Sequence, residues 1–276
     1  MKRLGIAALL CSVALAPVPA SAIDVWDLSG ADGNSGTDNE LANGSSQVHD
    51  LQASAGVADQ DWYLVGQLPY SSYEVIVDGL TEEVAIIPAS EANDALRLDL
   101  VDSGGGLISS GYAFSSIGAA RTLRFRNTSS TEITTQYVRV QGAVDGCGTA
   151  CTTNAEYRIQ LRETTLMAPR FNNGGGQLTV VLLQNSAPTV TGSPTSVSGT
   201  VRFWSPAGAL LGQQNVSLPA NGGAVVNTST IPGAAGASGF ITFDHLGRYG
   251  QVTGKAVALE PSTGFTFDTA FIPKLY

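Results

Sequence analysis

The side chains able to do chemistry in this sequence are few and unevenly placed. Two histidines, His49 and His245, and three cysteines, Cys11, Cys147 and Cys151, are the whole inventory of imidazoles and thiols. Carboxylates are plentiful but lopsided. Residues 23–165 hold 20 Asp and Glu against 7 Arg and no Lys, whereas residues 166–276 hold 3 acids against 5 bases. His49 stands beside Asp50, and His245 follows Asp244 just ahead of Gly247, a strand-end position that predicts an exposed ring. Two histidines so far apart in sequence do not suggest a metal cluster. The sequence has no G-x-S-x-G elbow, no H-E-x-x-H and no marked carboxylate pair for glycoside hydrolysis, so it reads as non-enzymatic. Carboxylate and amide oxygens do gather at Asp38-Asn39 and at Asp59 and Asp61, the oxygen-rich grouping that a hard cation takes. Turn capping by side-chain to backbone hydrogen bonds accounts for Asp59 and Asp61 equally well.

An export signal precedes all of this. Lys2 and Arg3 form a charged start, Leu4 to Leu15 an apolar core and Ala20-Ser21-Ala22 a small-residue cleavage site. Residues 1–22 are therefore expected to be removed and the mature chain to be secreted, into the periplasm or beyond, with surface association open. Removing Lys2 and Arg3 takes the formal charge from −9 to −11. Such an acidic surface excludes nucleic acid and anionic lipid as natural partners, because phosphate binding needs clustered Lys and Arg. No later apolar stretch approaches the roughly 20 residues of a membrane helix. In an oxidising compartment Cys147 and Cys151, with three residues between them, are expected to close a disulfide that staples a loop.

Alternation of period two dominates the rest. Leu96, Leu98 and Leu100, then Leu123 and Phe125, then Tyr157, Ile159 and Leu161 each alternate with polar or charged residues, which predicts strands with one face on a core and a charged face in water. The fold class expected is all-β, two β-sandwiches in tandem. After a Gly- and Asn-rich leader at 23–45, the first module spans 46–165 with about eight strands. The second spans 166–276, its strands starting after Met167-Ala168-Pro169, with seven strands in an immunoglobulin or fibronectin type III arrangement. Trp62 and Tyr63 are expected on opposite faces, with at most one in the core. Phe265, Phe267 and Phe271 are read as core, and Trp204 as the binding candidate. Trp204 shares a face with Arg202, so it points outward to stack on a sugar or anchor a partner, or packs against the neighbouring module.

Residues 37–162 resemble the bacterial pre-peptidase C-terminal domain, a jelly-roll-like sandwich related to collagenase collagen-binding domains. The match runs through Thr37-Asp38-Asn39-Glu40, Asp59-Gln60-Asp61-Trp62-Tyr63-Leu64-Val65, Leu96 to Gly105, Tyr137-Val138-Arg139-Val140 and a last strand from Tyr157. The chain departs from that pattern in its cysteine loop and in carrying no peptidase ahead of the domain. The resemblance implies a calcium site on Asp38, Asn39, Asp59 and Asp61, with Glu40 as an additional candidate. Together these readings give an expected function: non-enzymatic recognition of an extracellular polymer or protein. The alternatives are a structural surface or matrix subunit, or an accessory acting in trans on a secreted protease.

Overall fold

The computed structural model describes residue 26 and residues 32–53, 56–84, 96–111, 113–114, 120–142, 147–152, 154–186 and 196–274. The export signal, the start of the leader and residues 85–93 of the acidic loop lie outside the described residues. The architecture is all-β, as expected. Four hairpin-like pairs nest inside one another in the first half of the chain. β1 (Ser46–Asp50) pairs with β9 (Glu156–Glu163), β2 (Gln60–Leu64) with β8 (Gln136–Gly142), β3 (Ser71–Gly79) with β7 (Arg121–Asn127) and β4 (Leu96–Asp102) with β5 (Leu107–Gly111). Rolling this nest closes it into two antiparallel sheets, β1-β9-β3-β7 with β6 (Ala113–Phe114) at its edge, and β2-β8-β4-β5. This is a jelly roll. Its core takes the residues the alternation selected, including Leu96, Leu98, Leu123, Tyr157 and Ile159. Cys147 and Cys151 are bonded, and Cys151 is buried against that core. Trp62 and Tyr63 are both buried, contrary to expectation. Tyr63 enters the core, while Trp62, on the other face, packs with Val101 and Tyr137.

The leader closes one edge of this sandwich. β2 is an edge strand, and its outward N–H groups are taken by carbonyls from the leader. Trp62 donates to Asp32 at 2.7 Å and Leu64 to Asn39 at 2.9 Å, while Leu41 donates back to Leu64 at 3.0 Å.

The second half forms its own sandwich. β10 (Leu166–Asn172), β11 (Leu178–Asn185), β12 (Val197–Trp204), β13 (Leu210–Leu218), β14 (Gly223–Asn227), β15 (Ser238–His245), β16 (Val252–Glu260), β17 (Phe265–Ala270) and β18 (Ile272–Pro273) follow in order. They build the sheets β13-β12-β15-β10-β18 and β14-β11-β16-β17. β10 precedes the seven strands expected from the sequence and adds to the sheet of β12, β13 and β15. β10 lies against β15, and β16 lies against β11. The Met167-Ala168-Pro169 stretch, expected to precede the strands of this module, is part of β10. Pro169 hides the strand in the sequence and is tolerated because the register shifts between Ala168 and Phe171, a bulge where no ladder donor is needed. Phe271 joins the core, but Phe265 and Phe267, on the last full strand, are 61% and 48% exposed. Phe267 stands directly across from Ala258 and Phe265 from Glu260, on the face that also carries buried Ala256, but the core cluster does not extend to either ring.

The two sandwiches meet through polar groups. Arg124 and Arg126 of β7, expected in water, face the second module together with Ser72 and Glu74 of β3. Arg124 donates to the Leu246 carbonyl at 2.8 Å, and the Tyr249 N–H donates to Glu74 at 2.7 Å. The His245 N–H donates to the Ser72 hydroxyl at 3.1 Å. Asp244 accepts from Arg126 at 3.2 Å across the junction and from Arg202 within its own module. Arg202 is therefore buried rather than solvated. Burial pushes the Asp244 carboxyl up, with Arg202 and Arg126 pulling it back, and burial likewise pushes Glu74 up.

His245 is buried, not exposed, and accepts from Gly247 N–H on Nδ1 at 3.0 Å. Burial, then the Arg126 and Arg124 charges, lower its pKa to about 3. Between that value and its ordinary 6.5 the unfolded chain binds a proton that the folded chain refuses. Stability is thus full above the unfolded value and falls as the pH drops below it. The raised carboxyls of Asp244 and Glu74 act oppositely, each adding stability as the pH falls through its raised folded value. Acidifying from pH 7 to pH 5 should remove about 2 kcal/mol through His245. The His245→Gln variant, whose melting temperature is followed over the same range, should lose correspondingly less. Asp244→Ala strands two guanidinium groups at the junction and should cost ~3–5 kcal/mol in urea unfolding.

Candidate functional site

Two places in the structure each hold one of the sequence-selected residues, Asp61 in the first and Trp204 in the second. The first lies where the leader, β1 and β2 converge. Asp32, His49 and Asp61 are all buried, and one ligand atom from each lies within 4.8 Å of the others. This group could hold a metal ion. Asp61 is held by the Tyr157 hydroxyl, which donates to Oδ2, and Tyr157 in turn meets the Tyr63 hydroxyl at 2.6 Å. Burial, then the Asp61 charge, drives the Tyr157 phenol well above its ordinary pKa, so it stays a proton donor. The His49 ring is packed among aromatic rings, with centroids 5.0 Å from Tyr63, 6.1 Å from Tyr157 and 6.3 Å from Trp26.

Of the four residues assigned to calcium, only Asp61 enters this group. Asn39 is buried nearby in the leader, while Asp38 and Glu40 on either side of it face water. Asp59 is half-buried and accepts from the next residue's N–H at 2.8 Å, the capping role that was the competing explanation. Asp32 and His49 were not selected from the sequence. They lie 29 and 12 residues from Asp61, so no spacing rule joins them, and only the leader's pairing with β2 brings Asp32 in.

The second place is a cleft of about 480 Å³ at the junction of the modules, lined among others by Tyr70, Met167, Trp204, Leu210, Phe240 and Thr242. Trp204 is half-buried at the end of β12. Its ring stacks on Phe240 with centroids 6.0 Å apart and 11° between planes, and its Nε1 donates to Thr242 at 2.9 Å. Tyr70, from the first module, stands 5.5 Å from Trp204. The Arg202 guanidinium lies 4.4 Å from the Tyr70 ring centroid, in the range of a cation–π contact. Trp204 therefore does pack towards the neighbouring module while keeping part of its ring on a cleft. Tyr70 has φ +54°, a conformation uncommon for a non-glycine residue and costing of order 1–3 kcal/mol. Nothing in Leu68-Pro69-Tyr70-Ser71 announces it.

Among the described residues no helix is long and apolar enough to cross a membrane. No family model matches the chain, and no curated protein matches it. Solved structures give faint likenesses. A glycosyl hydrolase family 2 member from Bacteroides cellulosilyticus is 12% identical, with 77% of this chain and 28% of that one covered and a TM-score of 0.20. A calcium-binding mutant of Bacteroides uniformis beta-glucuronidase 2 is 10% identical, with 83% and 33% covered and a TM-score of 0.19. The chain spans a third or less of the length of these structures, and likenesses this faint carry neither an activity nor a family to it.

Proposed function

We propose that this chain is a secreted, non-enzymatic recognition protein that holds an extracellular polymer, a glycan foremost, in the cleft between its two sandwiches. The observation that carries the reading is the aromatic cleft itself. Trp204, Phe240 and Tyr70 present flat apolar faces beside hydroxyl and ammonium groups, Thr242 and Lys274 among them. A sugar ring offers C–H groups to such faces and hydroxyls to such edges. The strain at Tyr70 supports the same reading, since backbone held in a rare conformation concentrates at ligand clamps. The export signal and the disulfide agree with work outside the cytoplasm. The pre-peptidase-type resemblance of the first module agrees with a surface-recognition role, and the jelly roll is a fold on which such a role can sit.

A second reading, a structural surface or matrix subunit, draws on a different observation. β17 is a sheet edge carrying exposed Phe265 and Phe267, and exposed apolar edge strands pair with other chains.

Titrating the mature chain with soluble glucans and chito-oligosaccharides, by calorimetry and tryptophan fluorescence, tests the first reading. Trp204→Ala and Tyr70→Ala should each weaken binding about 10–30-fold, the loss expected of an aromatic anchor. No binding to any of these, together with mass rising with protein concentration and falling in a Phe267→Ser variant, would favour the structural subunit instead.

A further inference from the structure

We infer that Asp32, His49 and Asp61 form a structural site for a divalent cation of the zinc class, which fastens the leader to the first sandwich. The assignment starts from the histidine tautomer. The Gln47 amide donates through Nε2 to the Glu40 carbonyl at 3.0 Å, which turns its Oε1 towards the His49 ring. His49 Nε2 lies 2.9 Å from that oxygen. Since an amide oxygen only accepts, Nε2 carries a proton, and in the neutral ring the lone pair is then on Nδ1. This is the arrangement of a metal-binding imidazole, oriented by a hydrogen bond on its far nitrogen.

Nδ1 points to the carboxylates. It lies 3.7 Å from Asp32 Oδ2. Two ligands each about 2.1 Å from a tetrahedral centre stand roughly 3.4 Å apart, so the pair needs only a small side-chain adjustment. Tyr157 donates to Oδ2 of Asp61 and so fixes the orientation of that carboxylate, as an outer partner does for a ligand. Two carboxylates and an imidazole are donor types that a divalent cation of this class takes.

A second observation points to a ligand in the same place. The Asn39 side chain is fully buried, and neither its amide oxygen nor its amide nitrogen has a hydrogen-bond partner. Glu40 bridges Leu64 in a parallel pairing. Asn39 is therefore on the same side of the sheet as Tyr63 and Asp61, one rung from the carboxylate, because side chains alternate along a strand. Its amide oxygen would complete a fourth ligand position.

The donor set decides the class of metal. Calcium takes six to eight oxygens, whereas imidazole nitrogen with carboxylate oxygen in a small dry site suits zinc and its first-row neighbours. The rings of Trp26, Tyr63 and Tyr157 around His49 provide that shell.

The test uses the mature chain after chelator treatment, titrated by calorimetry with Zn²⁺, Co²⁺ and Ca²⁺ in turn. The expected result is one Zn²⁺ or Co²⁺ per chain, a tetrahedral Co²⁺ visible spectrum, a higher melting temperature and slower proteolytic cleavage between residues 32 and 45. Asp32→Asn removes a leader ligand without touching a sandwich strand. It should weaken Zn²⁺ binding by more than the roughly 10–100-fold that an outer-sphere partner is worth, with the circular dichroism spectrum unchanged. His49→Gln should abolish the Co²⁺ spectrum. Binding of Ca²⁺ but not Zn²⁺, binding of neither, or Zn²⁺ binding that survives both substitutions would each overturn the assignment. With neither cation bound, the group is a metal-free pairing of His49 with Asp32.

Discussion

The junction turns on one carboxylate. Asp244 sits between Arg202 of its own sandwich and Arg126 of the other, so the negative charge that makes Arg202 tolerable in the interior also fixes the orientation of the modules. A buried charge must be matched or it destabilises the fold, and here one match serves both the second core and the contact between modules. Glu74 and Arg124 repeat the arrangement with backbone groups of residues 246 and 249. Several such contacts resist sliding in a way that a smooth apolar interface of the same area would not, because each has a required geometry.

The cleft follows from that fixed geometry. Tyr70 and Trp204 come from different modules, and their 5.5 Å separation exists only while the junction holds its register. Arg202 links the two, being both the partner of Asp244 and the guanidinium over the Tyr70 ring. The strained backbone at Tyr70 is thus offset by contacts that arise from the modules' docking.

Strand positions were largely legible because period-two alternation reports one-sided burial. β9 shows this directly, with Tyr157, Ile159 and Leu161 inward and Arg158, Gln160 and Arg162 outward. The pattern cannot say what covers the other face. Arg124 and Arg126 look identical in sequence to solvated residues and are instead the junction. β10 was obscured by Pro169, and the pairing of β10 with β15 leaves no local trace. Of the site, Asp61 and Asn39 were readable through a resemblance in order and spacing. Asp32 and His49 depend on a leader segment lying along β2, and Tyr70 on a backbone torsion, neither of which residue type encodes. Phe265 and Phe267 were placed on one face correctly, but the end of the opposing sheet, which exposes them, is a tertiary fact.

The leader's pairing with β2 also bears on how this protein would age outside a cell. Carbonyls of residues 32 and 39 occupy the N–H groups of Trp62 and Leu64, so those two donors of the edge strand are already paired. A protease that nicked the chain between residues 41 and 46 and released the segment would take Leu41 out of the core and uncover those donors, with Trp62 beside them. Unpaired sheet edges recruit other strands. Clipping would therefore convert a self-contained molecule into an adhesive one, and the integrity of some ten residues near its N-terminal end would govern its shelf life in solution.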